Sequence, residues 1–209
     1  MTLRRAFAAA CLAVALPSSA AAQPAPALRG YGLFGIATLS ATDTFDAVAG
    51  TTTAPIVGGG AQAALWRGLF ADVAVSWLSI EGERIFVDAA GTVFQLGIPL
   101  EVTMRPVDLA TGWRVSFGRI TPYAGAGVTF LSYEETSGFA EAGEDVSESG
   151  AGMLILGGAD VRVWRWVHAG GELRYRRVRG ILGEAGASAE FGDDDAGGLS
   201  AAVRVSIGR

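Results

Sequence analysis

The residues of this chain that could do chemistry are charged side chains at alternate positions of predicted strands. Nine of them fall on the face that we predict to be internal: Asp72, Glu101, Arg105, Asp160, Arg162, Glu172, Arg174, Arg176 and Arg204. Acids and arginines brought together in a closed interior could pair with one another or line a path for protons or ions. Pairing is favoured, because an unpaired buried charge is very costly. The spacing therefore predicts a network of internal salt bridges, with a proton or ion path as the alternative.

His168 is the only histidine in the chain. A catalytic histidine needs a neighbouring nucleophile or carboxylate and a position that faces a substrate. His168 instead follows a predicted tight turn at 164–166, so we interpret it as a residue of the interior or of its rim. The sequence accordingly predicts no catalytic residue, no cofactor site and no metal site, and a protein that is not an enzyme.

Strands must position these charges, and alternation of side chains predicts them. Successive residues of a strand point to opposite faces, so a period of two separates an apolar face from a polar one. The clearest example is the pair of arms within 157–177, which meet at Trp164 and Trp166. The same period predicts eight strands, at about 30–40, 57–66, 69–79, 92–105, 120–132, 152–163, 167–177 and 197–207.

The predicted strand at 92–105 has the most regular alternation. Its even-numbered positions from 94 to 104 are apolar, including Leu96 and Ile98, and its odd-numbered positions include Gln95, Glu101 and Arg105. We predict that the even-numbered side chains face outwards and the odd-numbered ones face the interior. A connection is predicted over 107–119, in which residues 113–117 could extend a strand.

The connections predict how the strands are arranged. Long polar loops, at 41–55, 134–150 and 180–195, alternate with short turns such as Arg67-Gly68. The strands have the length that tilted β-strands need to cross a bilayer. Short turns on one side and long loops on the other are typical of membrane β-barrels. We therefore predict an all-β fold, an eight-stranded antiparallel up-and-down transmembrane β-barrel with its long loops external.

Aromatic side chains are predicted to form two belts. Those at strand ends next to the short turns are Tyr31, Trp66, Tyr123, Trp164 and Trp166. Those near the opposite strand ends are Trp77, Tyr133 and Tyr175. Aromatic residues of membrane barrels concentrate at the two interfaces of the bilayer. We therefore predict that all eight are interfacial.

The beginning of the chain predicts export. Residues 1–22 have the pattern of a secretory signal peptide, with Arg4 and Arg5 ahead of a short apolar run and small residues at the end. Cleavage would leave 23–209 as one barrel domain and would remove Cys11, the only cysteine. The net charge of −5 without a basic stripe argues against nucleic-acid binding.

Two segments resemble strands of a known family. Residues 121–130 (TPYAGAGVTF) resemble the Pro-Tyr-Gly-rich strand of small bacterial outer-membrane β-barrels of the OmpA and OmpX transmembrane-domain kind. Residues 157–177 resemble the late hairpin of that family, including its Glu-Leu-Arg-Tyr piece. The resemblance implies a place in the outer membrane of a Gram-negative bacterium, contact with outer-membrane lipid and lipopolysaccharide, and insertion by dedicated machinery with periplasmic chaperones. The acids of 134–148 and 193–195 are interpreted as solvated, with cation bridges to lipopolysaccharide as the alternative.

Several functions stay open at this stage. The leading hypothesis is a non-enzymatic envelope protein, anchored by a barrel whose lumen is filled with side chains and whose loops meet the outside. A conduit for small or hydrophobic solutes, of the OmpW kind, is the alternative, although a polar lumen counts against it. An outer-leaflet lipid-modifying enzyme lacks a recognisable nucleophile and base. A soluble lipocalin-like barrel would not need detergent. The sequence does not specify an oligomeric state.

Overall fold

The alternation of side chains is realised as eight strands that pair in chain order. The structure is a computed structural model that describes residues 27–88, 92–137, 146–182, 188 and 191–208. The strands are β1 (Leu28–Leu39), β2 (Thr53–Ala64), β3 (Leu69–Val87), β4 (Val93–Arg114), β5 (Ile120–Ser137), β6 (Val146–Arg162), β7 (Val167–Arg177) and β8 (Gly198–Gly208). Because β1 also pairs with β8, the sheet closes on itself. The predicted eight-stranded antiparallel up-and-down barrel is confirmed. The predicted signal peptide lies outside the described residues.

Tight connections join the strands at one end of the barrel, which we call the short-turn end. Between β2 and β3, the Leu69 N–H donates to the Trp66 carbonyl at 2.8 Å. The two residues between them, Arg67 and Gly68, have φ values of 48° and 90°. Two central residues with positive φ match the twist of a two-residue hairpin, and glycine adopts that conformation without strain. This is the turn predicted at Arg67-Gly68.

β3 and β4 form a long hairpin at the opposite end, which we call the long-loop end. β4 runs from Val93 to Arg114, so the predicted connection over 107–119 is wrong in its first half. Pro106 lies inside the strand and has no N–H to donate to the ladder, which hides the continuity of the pattern. In the described residues, 93–99 pair with β3 alone, because the pairing of β4 with β5 begins at Leu100.

The facing of β4 differs from the prediction by one residue. Leu100, Val102 and Met104 are buried in the interior, with 6%, 3% and 1% of their surface exposed. Glu101 and Arg105 are exposed on the outward face, so their predicted place in the lumen is wrong. Alternation separates two faces but does not say which of them is internal. Here the interior is apolar at this level, and the apolar face is therefore the inner one.

The segment 41–55, predicted to be a polar loop, contains the helix α1 (Thr42–Ala49). Phe45 and Val48 are three residues apart and share one face of this helix. Both are buried, with 2% and 8% of their surface exposed. Gly50 ends the helix with a φ of 64° and donates its N–H to the Asp46 carbonyl. The buried face of α1 covers the long-loop end of the barrel. No helix in the described residues is long and apolar enough to cross a membrane.

The interior has two layers of different chemistry. Nearer the long loops is the apolar layer, a cluster of buried side chains that comprises Ala37, Leu39, Ala41, Phe45, Val48, Ala54, Ile56, Leu78, Ile80, Leu100, Val102, Met104, Leu131, Tyr133, Val178, Ile181, Leu182 and Ala196. Nearer the short turns is the polar layer, which comprises Tyr31, Asp72, Asp108, Tyr123, Glu172, Arg174, Arg176 and Arg204. A narrow barrel of eight strands is filled by such side chains.

The outward face of the barrel carries an apolar belt. Its large exposed side chains include Phe34, Ile36, Val57, Val73, Trp77, Val107, Leu109, Trp113, Val128, Phe130, Met153, Ile155, Leu173, Tyr175, Leu199, Val203, Val205 and Ile207. Exposed apolar surface that encircles a molecule is unusual for a protein surrounded by water. It is the surface that a transmembrane barrel presents to lipid.

The eight aromatic side chains predicted to be interfacial divide between the outer surface and the interior. Those on the outer surface are Trp66, Trp77, Trp164, Trp166 and Tyr175. Tyr31, Tyr123 and Tyr133 are buried inside the barrel, with 8%, 6% and 7% of their surface exposed. The prediction that these three tyrosines are interfacial is therefore wrong. A position at a strand end places an aromatic residue at the level of the bilayer interface. Whether its side chain faces outwards or inwards depends on the alternation of side chains along the strand.

Candidate functional site: the polar layer of the interior

β7 supplies the central residues of the polar layer. Glu172, Arg174 and Arg176 are two residues apart, so all three side chains point inwards and all are buried. Leu173 and Tyr175, between them, are exposed on the outer surface. One strand thus delivers three charges to the interior, and the strands across the lumen must supply their partners.

Arg174 connects three carboxylates. Its Nε donates to Glu172 Oε1 at 2.6 Å, and its Nη1 donates to Asp108 Oδ2 at 2.8 Å. Its Nη2 donates to Asp72 Oδ1 at 3.2 Å and to the Tyr31 hydroxyl at 2.9 Å. The planar guanidinium can satisfy several acceptors at once in fixed directions. Arg174 is therefore the hub that joins β1, β3, β4 and β7.

Arg176 forms a bidentate pair with Asp108. Its Nε and Nη2 donate to the two carboxylate oxygens at 3.1 Å and 2.7 Å. The remaining Nη1 donates to the Ser200 hydroxyl on β8 at 3.2 Å. Asp108 is wholly buried and pairs with two arginines, so neither partner is left as an isolated charge.

Arg204 completes the polar layer from β8. Its Nη1 donates to Glu172 Oε2 at 2.8 Å and to the Tyr123 hydroxyl at 3.2 Å. Its guanidinium lies 3.7 Å from the centre of the Tyr31 ring, a cation–π contact. The Tyr31 hydroxyl donates to Asp72 at 2.8 Å, and the Tyr123 hydroxyl donates to Glu172 at 2.9 Å. The three acids and three arginines of the layer are balanced in charge.

The inward tyrosines fit against glycines on the neighbouring strands. Tyr31 is opposite Gly60 in the ladder, and Tyr123 is opposite Gly158. A Cβ atom at Gly60 would come within 2.6 Å of the Tyr31 hydroxyl, and one at Gly158 would come equally close to the Tyr123 hydroxyl. Each ring therefore lies along the barrel wall where a side chain is missing, and its hydroxyl reaches the charges.

The structure brings together five of the nine residues predicted for the lumen. These are Asp72, Glu172, Arg174, Arg176 and Arg204. Asp160 is buried closer to the short-turn end, 4.0 Å from Arg29. Arg162 ends β6 and is exposed at the rim. Arg105 pairs instead with Glu134 on the outer face at 3.2 Å, and Glu101 accepts from the Ser79 hydroxyl.

Sequence reasoning missed the residue that holds two arginines in place, Asp108. It lay in the predicted connection over 107–119, although the positions Met104, Pro106, Asp108 and Ala110 continue one face of β4. Extending the alternation through the proline would have found it. The roles of Tyr31 and Tyr123 have no comparable signal, because they depend on glycines of other strands.

The arrangement fills the barrel with paired charges rather than with groups placed to react. His168 is buried near the short-turn end, where its ladder partners are Arg162 and Ser206. Among the residues that the structure describes, no group of three His, Cys, Asp or Glu side chains could hold a metal ion. Two cavities next to the layer have volumes of about 20 Å³ and 10 Å³, which is close to the space that one water molecule needs.

A closed barrel, an apolar outward belt and a lumen filled with side chains are the features of the small eight-stranded barrels of bacterial outer membranes. The chain is similar to three solved structures of that class. A major outer membrane protein from Thermus thermophilus gives a TM-score of 0.59 at 9% identity, over 88% of this chain and 100% of that chain. Neisserial surface protein A gives 0.53 at 11%, over 87% and 96%. OprG from Pseudomonas aeruginosa gives 0.53 at 10%, over 88% and 95%.

These likenesses concern the fold. They confirm the resemblance to small outer-membrane β-barrels at that level. No protein-family model and no curated protein matches the chain.

Proposed function

We propose that this protein is a non-enzymatic component of the bacterial outer membrane, anchored by its barrel and acting through the residues at its long-loop end. The observation that carries the proposal is the filled interior. The polar layer crosses the lumen as a continuous set of hydrogen bonds, and the apolar layer and α1 lie above it. A barrel closed in this way serves as an anchor and a platform rather than as a pore.

The apolar belt supports the membrane location. On β3, for example, the outward residues from Leu69 to Trp77 are apolar, and the next outward residues are Ser79 and Glu81. Nine residues of a tilted strand span the hydrocarbon core of a bilayer. The polar residues that follow would then lie in the lipid headgroups or beyond them.

Conductance tests whether the lumen is closed. Purified protein in a planar bilayer should show at most small and rare openings. A variant in which 42–49 is replaced by a flexible linker should behave in the same way, because the polar layer lies below α1 and closes the lumen without it. Large, steady conductance from the unmodified protein would contradict the anchor and favour the conduit for small solutes.

Single cysteines test the location and orientation. Cys11, in the predicted signal peptide, is the only native cysteine, so introduced cysteines can be labelled selectively in the processed chain. Asp46→Cys on α1 should react with a membrane-impermeant maleimide on intact cells. Arg165→Cys, in the exposed turn between β6 and β7, should react only after the outer membrane is opened. Labelling of Arg165→Cys on intact cells would overturn the orientation, and fractionation with soluble proteins would overturn the location.

A further inference from the structure

The balance of charge in the interior fails at the short-turn end. In the polar layer, three acids face three arginines. Below it, Arg29 and Arg114 lie half-buried in the mouth of the barrel, and Arg162 lies exposed at its rim. Among the described residues, Asp160 is the one buried acid outside the polar layer that interacts electrostatically with Arg29 and Arg114. The mouth therefore has an excess of positive charge.

Strand register places these residues around one opening. Arg29 on β1 is opposite Gln62 on β2, and Arg114 Nη1 on β4 donates to Gln62 Oε1 at 3.4 Å. On the other side, Ser206 on β8 is opposite both Tyr31 and His168. Arg204, two residues from Ser206, also interacts electrostatically with Arg29 and Arg114. We call this group the mouth cluster; it comprises Arg29, Gln62, Arg114, Asp160, His168, Arg204 and Ser206.

Several buried polar atoms of the mouth cluster have no hydrogen-bond partner in the part of the chain that the structure describes. They are Arg29 Nε and Nη1, Gln62 Nε2, Asp160 Oδ1, His168 Nδ1, Arg204 Nε and Nη2, and Ser206 Oγ. Gln62, Arg204 and Ser206 are almost wholly buried, with 1%, 0% and 0% of their surface exposed. Arginine and amide N–H groups can only donate, so donors in the cluster outnumber the single free carboxylate oxygen. Buried donors without acceptors are costly.

We propose that the mouth cluster binds a small oxyanion of the phosphate or carboxylate class, which enters from the short-turn end. Such an anion supplies the two things that the cluster lacks, negative charge and several acceptor oxygens. Guanidinium groups match the geometry of these oxygens and bind them with charge-assisted hydrogen bonds. Arg29 and Arg114 would meet the anion at the mouth, and the buried donors of Gln62, Arg204 and Ser206 would receive its inner oxygens. The inference does not depend on where the barrel resides.

Phosphate binding by the folded protein in a zwitterionic detergent tests the site. Isothermal titration with inorganic phosphate, at constant ionic strength, should show saturable binding close to one anion per barrel. Arg114→Gln and Arg29→Gln should each weaken the affinity by about tenfold or more, as expected for the loss of one charge-assisted hydrogen bond. The matched control is Arg105→Gln, which changes an exposed arginine in the middle of β4, outside the mouth cluster. This variant should bind phosphate as the unmodified protein does.

Two further measurements complete the test. One checks that each variant is folded, and the other asks whether the bound phosphate group belongs to a lipid or to a free anion. Each variant is first checked by the mobility of its unheated band on a denaturing gel, and a variant that fails is replaced by the other mouth arginine. Binding of a short-chain phosphatidic acid without binding of inorganic phosphate would assign the cluster to lipid headgroups and overturn the proposal. Absence of saturable binding, or equal weakening by Arg105→Gln and Arg114→Gln, would also overturn it.

Discussion

Replacing Glu172 by glutamine should remove the centre of the polar layer without removing its shape. Glu172 accepts three hydrogen bonds, from Arg174 Nε at 2.6 Å, from Arg204 Nη1 at 2.8 Å and from the Tyr123 hydroxyl at 2.9 Å. Arg174 would keep ion pairs with Asp72 and Asp108. Arg204 would not, because Glu172 is the only acid that bridges to it among the described residues.

The expected cost follows from that difference. Breaking a buried ion pair by removing one partner costs about 3–5 kcal/mol. Glutamine retains one acceptor oxygen, and one arginine rather than two is left without a carboxylate, so we expect about 3 kcal/mol of lost stability. Glu101 is the matched control, because it is an exposed glutamate whose partner is the Ser79 hydroxyl at 2.7 Å. Glu101→Gln should cost less than about 1 kcal/mol.

Equilibrium unfolding in phospholipid vesicles measures both values. The barrel is titrated with denaturant, and tryptophan fluorescence with the gel mobility of unheated samples reports the folded fraction. The slope of the free energy against denaturant should be the same for both variants, since neither changes the area exposed on unfolding. If Glu101→Gln lowers the free energy of unfolding as much as Glu172→Gln does, then the location of the lost charge does not matter. The polar layer would then not stabilise the barrel as we describe.

Two further predictions concern the outer surface and the helix α1. Leu109→Arg should destabilise the barrel by about 2–4 kcal/mol, because Leu109 lies in the apolar belt. Leu96→Arg should cost little, because Leu96 is exposed in the part of β4 that pairs with β3 alone. Unfolding in vesicles measures both variants, and the reverse order of costs would contradict the prediction. Asp193→Ala should destabilise α1 by about 1 kcal/mol, because the Asp193 carboxylate accepts hydrogen bonds from the backbone N–H and the hydroxyl of Thr44, at 3.0 Å and 2.7 Å. Asp194→Ala, which removes an exposed ion pair, should leave the stability of α1 unchanged. Hydrogen exchange of residues 42–49 measures both variants.

The number and order of the strands could be predicted because alternation is a property of each strand alone. Residues 167–177 show this most clearly, since the predicted bounds and those of β7 coincide. Facing required more information. In β4 the apolar residues Leu100 and Met104 face inwards, because the adjacent lumen is filled by an apolar layer that arises from β1 to β5, the helix and residues of the connections. One strand cannot reveal what fills the space beside it.

The residues of the candidate site that could be predicted are those whose pattern lies within a single strand. Glu172, Arg174 and Arg176 lie on one strand at a period of two, and that spacing placed them correctly inside. Tyr31 was predicted at the bilayer interface because it lies at the end of its strand, next to the short turns. Its actual position depends on Gly60 across the ladder and on Asp72 beyond it, contacts that exist only once the register is known. The mouth cluster likewise requires the closure of the barrel.

The polar layer has a consequence for the route by which the barrel folds. Arg174 meets Tyr31 across 143 residues of sequence and Asp72 across 102, so its partners come from strands made long before it. A partly assembled sheet would hold the charges of β7 without those partners, and a membrane interior tolerates neither unpaired charge nor an open sheet edge. Half-built barrels should therefore be too unstable to accumulate, and contacts so distant in sequence should make closure slow. Time-resolved refolding into vesicles should show one late event. In that event, the pairing of β1 with β8 and the burial of the side chains of the polar layer should occur together.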